Sequence, residues 1–132
     1  MFVVDASAII DLILNRGPAE RLRTRLFEAG QTLHAPHLLG AEVLHVIRRH
    51  ALAGQIDARR TAEAIEDYLD ITIELYPHEF LFHEAWQLRD NFTAYDAMYV
   101  ALAHELKAPL ITCDERMAKA CRQVGVRAEL VT

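Results

Sequence analysis

The sequence predicts an α/β fold, with a central, mostly parallel five-stranded sheet flanked by helices on both faces. Two observations indicate this class. Short strand-like segments alternate with helical segments along the whole chain, an order typical of parallel sheets whose strands are connected by helices. Most of the strand-like segments are also apolar throughout, as expected of strands covered on both sides. With 132 residues, 52% of them hydrophobic, the chain predicts one domain over residues 1–132 with a core of its own.

Glycine, proline and capping residues divide the first half of the chain into elements. Gly17-Pro18 separates an apolar helix from the next one, and Gly30 ends that second helix. Pro36 precedes a longer helix that stops at Gly54, and Asp57 is placed to cap the following one. The predicted elements are strand 2–4, helix 7–15, helix 19–29, strand 33–35, helix 37–53 and helix 57–69.

The second half of the chain continues the alternation of strands and helices. A segment that alternates β-branched and polar residues predicts a strand at 71–75. Pro77 leads into a helix, and Pro109 precedes a short apolar strand. The predicted elements are strand 71–75, helix 79–89, helix 93–107, strand 110–112, helix 114–124 and an edge strand at 127–131.

The composition limits the classes of function that the chain can serve. Its net charge is −5 and its isoelectric point about 5.8, whereas a protein that holds nucleic acid by charge alone is basic. A nucleic-acid function therefore needs a local basic patch or bound metal ions. No apolar run approaches the ~20 residues of a membrane span and no secretion signal precedes the first strand, so we expect a cytoplasmic protein. Cys113 and Cys121 form no C-x-x-C pattern, which predicts neither a zinc knuckle nor a disulfide.

Two aspartates follow short apolar strands. Asp5 comes directly after the first strand, Asp114 comes just after the strand at 110–112, and a predicted helix begins at or beside each of them. In parallel α/β sheets, ligands bind beyond the carboxyl ends of the strands, so both carboxylates are directed toward the usual site region. Either aspartate taken alone is also explained as a helix N-cap, a position that favours aspartate.

Two further acids lie within helices among apolar neighbours. Glu42 lies in HLLGAEVLHVI, where the residues about one turn away are apolar, and the alternative is a surface glutamate whose carboxylate reaches solvent. Asp96 lies in TAYDAMYVALA, a helix that is apolar nearly all round. Thr93 and Asp96 also have the spacing of a capping box. We expect the carboxylate of Asp96 to border the core.

The four acids taken together predict a site for a divalent cation. Buried ionised carboxylates cost several kcal/mol unless they are paired, and a cluster of them repels itself. The basic residue among their sequence neighbours is Arg116, which lies near Asp114. Mg²⁺ and Mn²⁺ prefer oxygen ligands and would neutralise such a cluster. A bound ion of this kind polarises phosphoryl oxygens and lowers the pKa of its water.

At these residues the chain resembles the PIN domains, and most closely the VapC toxins of bacterial toxin–antitoxin pairs. The resemblance covers nearly the whole chain, and its second and third blocks are specific in combination. The blocks are VVDASAII, PHLLGAEVLHVIRR, TAYDAMYVALAHEL and LITCDERM. In that family, an aspartate ending a strand, a helical glutamate, the aspartate of a YDA helix and an aspartate following a later strand form the acidic site. Their counterparts here are Asp5, Glu42, Asp96 and Asp114.

The resemblance implies a Mg²⁺- or Mn²⁺-dependent endoribonuclease that cleaves structured RNA, such as tRNA or rRNA, by a metal-activated water. It also implies a homodimer that is inhibited by a small cognate VapB-like antitoxin, bound at a clip formed by the helices within 37–69. Asp5 and Asp96 are then the principal metal ligands, with Glu42 and Asp114 holding the ion or its water. Ser7 and Thr93 match polar positions that line or support the site.

Three other patterns in the sequence bear on its function. Arg48, Arg49 and Arg116 lie in segments that carry site acids, so they are the candidates for contacts to RNA phosphates. The stretch HEFLFHEAW resembles the zinc-protease motif H-E-x-x-H, but its two histidines are five positions apart and lie on different faces of a helix. The aromatic residues of the same segment have helical spacing, which predicts that they pack in the core rather than form a platform for stacking bases. They are Phe80, Phe82 and Trp86.

Two alternative functions stay open at this point. One is a non-catalytic PIN-fold module that binds RNA or protein, and a metal titration separates it from the nuclease. The other is a metal-dependent phosphatase or deoxyribonuclease that uses the same acids, and a panel of RNA, DNA and small phosphoesters separates that one.

Overall fold

A single five-stranded sheet organises the molecule, which a computed structural model describes over residues 1–132. The strand order is β3-β2-β1-β4-β5, and every neighbouring pair is parallel. The predicted α/β class and the five strands are therefore confirmed. The strands are β1 (Phe2–Val4), β2 (Leu33–Pro36), β3 (Ile73–Tyr76), β4 (Leu110–Thr112) and β5 (Ala128–Leu130).

Seven α-helices connect and cover these strands. They are α1 (Ala6–Ile13), α2 (Ala19–Leu26), α3 (Leu38–Leu52), α4 (Ala58–Asp70), α5 (Phe82–Gln87), α6 (Ala94–Leu106) and α7 (Glu115–Gln123). The predicted bounds differ from these by a few residues, except that the helix predicted at 79–89 is divided. Its first residues form a 3₁₀ turn, Glu79–Leu81, and the α-helical part is only six residues long.

The central strands are covered on both faces. Every residue of β1 and of β4 is buried, and consecutive side chains of a strand point to opposite faces. Helix α6 packs on β1, β2 and β4, α1 packs against β4, and α7 packs against β4 and β5. The edge strands β3 and β5 are only partly buried. None of the helices is long and apolar enough to cross a membrane.

The pairing of β1 with β4 positions the site. Val4 lies beside Ile111 in the sheet, so the two strands end next to each other at the same edge. Asp5 follows β1 directly, and Asp114 follows β4 after one intervening residue. Two acids that are far apart in sequence are therefore brought to neighbouring strand ends.

The prediction that three aromatic residues before α6 pack in the core is wrong. Phe80, Phe82 and Trp86 are 49%, 54% and 65% exposed. Leu81 and Ala85 belong to the core instead. Both pairs, 81 with 85 and 82 with 86, have the same i, i+4 spacing, so helical periodicity could not decide which stripe of α5 faces inward.

Candidate active site

Asp5 is a buried carboxylate held by three donors. Its Oδ1 accepts hydrogen bonds from the Ser7 hydroxyl at 2.7 Å and from the backbone N–H of Ala8 at 3.0 Å, and its Oδ2 accepts one from the Thr112 hydroxyl. Asp5 is only 5% exposed, and this burial raises its pKa to about 6 despite the three hydrogen bonds. The charge of Asp114 raises the pKa further. Asp5 is therefore the N-cap of α1. It is also a carboxylate at the end of β1 whose charged form is destabilised by burial.

Two hydroxyls connect the start of α1 to the end of β4. Ser7 Oγ accepts a hydrogen bond from the N–H of Cys113 at 2.9 Å, and Thr112 Oγ1 accepts one from the N–H of Asp114 at 3.0 Å. The two hydroxyl oxygens lie 3.2 Å apart. Ser7 thus links Asp5 to the backbone that follows β4, and Thr112, which the sequence did not single out, contacts both Asp5 and Asp114. Its only signal in the sequence is a hydroxyl at the last position of an apolar strand.

Asp114 is the N-cap of α7. Its Oδ1 accepts hydrogen bonds from the N–H groups of Arg116 at 2.9 Å and Met117 at 3.3 Å. Its Oδ2 receives no hydrogen bond from the protein, so that oxygen is free for a ligand. The capping explanation and the site explanation of Asp114 are compatible, because each uses a different oxygen.

Asp96 lies in the first turn of α6, where Thr93 is the N-cap. Thr93 Oγ1 accepts a hydrogen bond from the N–H of Asp96 at 3.2 Å, which is one half of the predicted capping box. Partial burial raises the pKa of Asp96, the charge of Asp114 raises it further, and a hydrogen bond with Thr93 opposes the change. Asp96 therefore borders the core as expected and lies within electrostatic range of Asp114.

Glu42 is oriented by a buried tyrosine. The Tyr99 hydroxyl donates a hydrogen bond of 2.7 Å to Glu42 Oε1. Partial burial raises the pKa of Glu42, and the charge of Asp96 adds to this, while the bond from Tyr99 acts in the opposite direction. Burial and the nearby glutamate also raise the pKa of Tyr99, so that it stays a donor. Sequence reasoning missed Tyr99, although it lies one turn after Asp96 in the same helix.

The four acids form one electrostatically coupled group. Asp114 acts on both Asp5 and Asp96, and Asp96 acts on Glu42. None of the four takes part in a salt bridge. An unpaired group of carboxylates has the donor chemistry of a site for a hard divalent cation. As the side chains are placed, no three acids, histidines or cysteines form a complete ligand set.

The predicted RNA-contact residues lie on the surface. Arg48, Arg49 and Arg116 are exposed, and no carboxylate forms a salt bridge with any of them. Their guanidinium groups are therefore available to bind an anion.

Comparison with known proteins identifies the family of the chain. The sequence model of the PIN domain matches residues 2–123, and the chain belongs to that family. Ribonuclease VapC1 of Mycobacterium tuberculosis is 40% identical over 119 residues, which are 89% of this chain and 89% of that protein. Within the PIN-domain family, the chain therefore groups with the VapC ribonucleases.

Solved structures support the same fold. Mycobacterium tuberculosis VapC20, described as a sarcin–ricin loop cleaving toxin, has a TM-score of 0.68 at 15% identity, over 91% of this chain and 95% of that one. VapBC2 from Rickettsia felis, solved with a DNA fragment from its promoter, has a TM-score of 0.72 at 13% identity, over 99% of this chain and 98% of that one. At these identities the likeness concerns the fold.

Proposed function

We propose that this protein is a Mg²⁺- or Mn²⁺-dependent endoribonuclease, the toxin of a type II toxin–antitoxin pair, that cleaves phosphodiester bonds of structured RNA in the cytoplasm. The observation that carries the proposal is the group of four coupled carboxylates, none of them paired with a cation. The names of the similar proteins agree with it, because VapC1 is named a ribonuclease and VapC20 is described as a sarcin–ricin loop cleaving toxin. tRNA and rRNA are accordingly the first substrates to test.

Asp5 and Asp96 are the proposed principal ligands of the ion, with Glu42 and Asp114 completing its surroundings. When bound, a divalent cation polarises the scissile phosphate and lowers the pKa of a coordinated water. The support for this ligand set is its chemistry: the carboxylates already repel one another, and burial raises the pKa of Asp5 to about 6. A cation relieves both costs, since it stabilises the charged forms.

The remaining polar residues orient the acids and hold the substrate. Ser7 and Thr112 keep both oxygens of Asp5 in place, and Tyr99 does the same for Glu42. An acidic site repels a polyanion, so the RNA needs cations beyond the metal. We assign this task to Arg48, Arg49 and Arg116, which are free of carboxylate partners and bind backbone phosphates without regard to base identity.

The test compares purified wild type with Asp96→Asn on RNA, DNA and a small phosphoester, each with Mg²⁺, Mn²⁺ or EDTA. We expect cleavage of RNA only, dependent on the added ion, and at least a hundredfold loss in the variant. Asp57→Asn is the matched control, since Asp57 is an exposed N-cap whose carboxylate accepts a hydrogen bond from the N–H of Arg60. RNA binding without cleavage, and without any effect of Mn²⁺, would instead identify a non-catalytic module. Cleavage of DNA or of the phosphoester alone would identify a different hydrolase.

The proposed antitoxin site is the outer face of α3 and α4, defined by Leu44, Leu52 and Leu69, which are all exposed. The two helices approach closely at Gly40, where an added Cβ would lie 3.3 Å from the Tyr68 hydroxyl. An apolar helical face of this kind suits the amphipathic segment of a small partner. The solved VapBC2 complex of Rickettsia felis supports such a partner.

A co-purification experiment tests the antitoxin proposal. The antitoxin candidate is the product of the adjacent short reading frame, expressed together with the toxin. Leu44→Asp combined with Leu69→Asp should abolish co-purification and leave the cleavage rate of the free toxin unchanged. Unchanged co-purification would place the antitoxin elsewhere.

We further propose that the toxin acts as a homodimer.

A further inference from the structure

The first turn of α3, the helix that carries Glu42, has no capping side chain of its own. Its N-cap residue, His37, has helical backbone angles and makes no capping hydrogen bond, and no acid lies in the first turn. The helices at the other site acids are capped by a side chain, which is Asp5 in α1, Thr93 in α6 and Asp114 in α7. The first N–H groups of a helix have no partner inside it, so those of α3 depend on another element.

The end of β3 and the residues after it supply acceptors for the start of α3. The N–H of His37 donates a hydrogen bond of 2.8 Å to the carbonyl of Tyr76. The N–H of Leu38 donates one of 2.9 Å to Nε2 of His78. His78 is partly buried, and its ring lies edge-on to that of His37, with the two centroids 6.1 Å apart. Two consecutive N–H groups of α3 are therefore held from outside the helix.

The contact with Leu38 fixes the chemical form of the His78 ring. A ring nitrogen that accepts a hydrogen bond carries no hydrogen, so the ring is neutral and its hydrogen is on Nδ1. A metal ion needs a free lone pair on an imidazole nitrogen, and this ring has none left. His37 and His78 therefore do not form a two-histidine metal site, which leaves the contact with α3 as the interaction to explain.

Leu38 connects this contact to Glu42. The two residues are four positions apart, so in the helix the N–H of Glu42 bonds to the carbonyl of Leu38. Leu38 itself is only 9% exposed and belongs to the core. At the far end of the Glu42 side chain, the hydroxyl of Tyr99 holds the carboxylate. Two separate contacts thus act on this acid, one on its carboxylate and one on the helical turn before it.

We propose that His78 is a positioning residue of the acidic site, which holds the first turn of α3 so that Glu42 can reach the ion. The proposal rests on the proposed function and adds a residue that touches neither the ion nor the RNA. Replacement of residues that orient metal ligands typically lowers metal affinity or activity by about 10–100-fold. A residue that only stabilised the fold would change the stability and leave both properties unaltered.

The test compares His78→Leu, which removes the acceptor, with His78→Gln, whose side-chain oxygen can take the place of Nε2. On RNA with saturating Mg²⁺, His78→Leu should lower kcat by about tenfold or more. Its KM should change by less than about twofold, because the proposed phosphate contacts are untouched. Its affinity for Mn²⁺ alone, measured by isothermal titration calorimetry, should fall by about tenfold or more. His78→Gln should recover most of both losses.

Asp57→Ala is the matched control for a loss of stability alone. Asp57 is the side-chain cap of α4, a helix that carries none of the four acids. Urea unfolding should show that Asp57→Ala and His78→Leu are both destabilised, whereas kcat and Mn²⁺ affinity should fall only in His78→Leu. The proposal is overturned if His78→Leu keeps both properties, if Asp57→Ala loses them too, or if His78→Gln is no better than His78→Leu.

A spectroscopic readout does not depend on catalysis. In ¹⁵N NMR spectra of the metal-free wild type at about pH 8, where histidines are normally neutral, the ring hydrogen of His78 should be on Nδ1. The amide resonance of Leu38 should shift in His78→Leu and return toward its original position in His78→Gln. A ring hydrogen on Nε2 overturns the proposal even if His78→Leu does not fold.

The proposed nuclease and the positioning contact can fail separately. A wild type that cleaves no RNA, but gives the expected Mn²⁺ and NMR results, would reject the nuclease and leave the role of His78 standing. A wild type that cleaves RNA, with kcat unchanged in His78→Leu, would do the reverse. A wild type that binds no Mn²⁺ would overturn both.

Discussion

Replacement of Asp5 by asparagine should stabilise the metal-free protein at neutral pH. Asp5 is almost completely buried, and its pKa is raised from 3.8 to about 6, chiefly because burial disfavours the carboxylate. Asparagine retains the capping oxygen for Ala8 and is as good an N-cap as aspartate. The substitution therefore removes the charge and keeps the cap, whereas its NH2 group replaces the oxygen that accepts from Thr112, so the Thr112 hydroxyl must turn to accept instead.

The magnitude follows from the difference between the folded and unfolded pKa values. Because the folded state holds this proton more tightly, the stabilisation is complete below about pH 4 and is lost as the pH rises through about 6. The folded and unfolded pKa values differ by about two units. Each unit corresponds to about 1.36 kcal/mol, so the whole difference corresponds to about 3 kcal/mol. At about pH 7.5 the variant should therefore be more stable than the wild type by up to about 3 kcal/mol, and at about pH 4 the two should be similar.

Urea unfolding followed by circular dichroism measures this effect, in EDTA and at one protein concentration. The free energy of unfolding of wild type and variant is compared at several pH values between about 4 and 7.5, and only the difference between them is interpreted. Asp57→Asn is the control, since it makes the same chemical change at an exposed N-cap. It should show no comparable gain.

The reasoning is refuted if the difference between wild type and Asp5→Asn does not grow as the pH rises. It is also refuted if the variant is less stable than the wild type at neutral pH. Either result would mean that the three hydrogen bonds to Asp5 outweigh the cost of burying its charge.

Three further predictions concern the surroundings of the acids. Thr112→Val removes a donor to Asp5 and should lower the free energy of unfolding by about 1–3 kcal/mol, whereas Thr112→Ser should retain most of it, as measured in urea. Tyr99→Phe removes the donor that stabilises the charged form of Glu42, so the acid limb of the pH–rate profile should move to higher pH. Mg²⁺ at a hundred times its dissociation constant should stabilise the wild type by about 2.7 kcal/mol in thermal unfolding, and this gain should vanish in Asp96→Asn.

Much of the fold could be predicted from the sequence because its signals are local. The strands at 2–4 and 110–112 were located to the residue, since short apolar segments bounded by polar residues or proline need no distant information. The helix at 79–89 was predicted less well. Its two apolar stripes have equal spacing, and only contact with α6 decides that Leu81 and Ala85 face the core.

The acids of the candidate site could also be found from the sequence, as charges among apolar neighbours. The groups that hold them could not. Thr112 and Tyr99 are ordinary residues of a strand and a helix until the fold places one beside Asp5 and the other beside Glu42. Such contacts join segments with a separation of up to 107 positions, and no local pattern records them.

By itself, the sequence determined the order of strands and helices and the identity of the four acids, because periodicity, caps and isolated charges are properties of neighbouring residues. The tertiary structure alone decided which hydroxyls hold those acids, how strongly their charges interact, and which aromatic stripe remains in solvent. Each of these depends on distances between segments that only the packing of the sheet and helices sets.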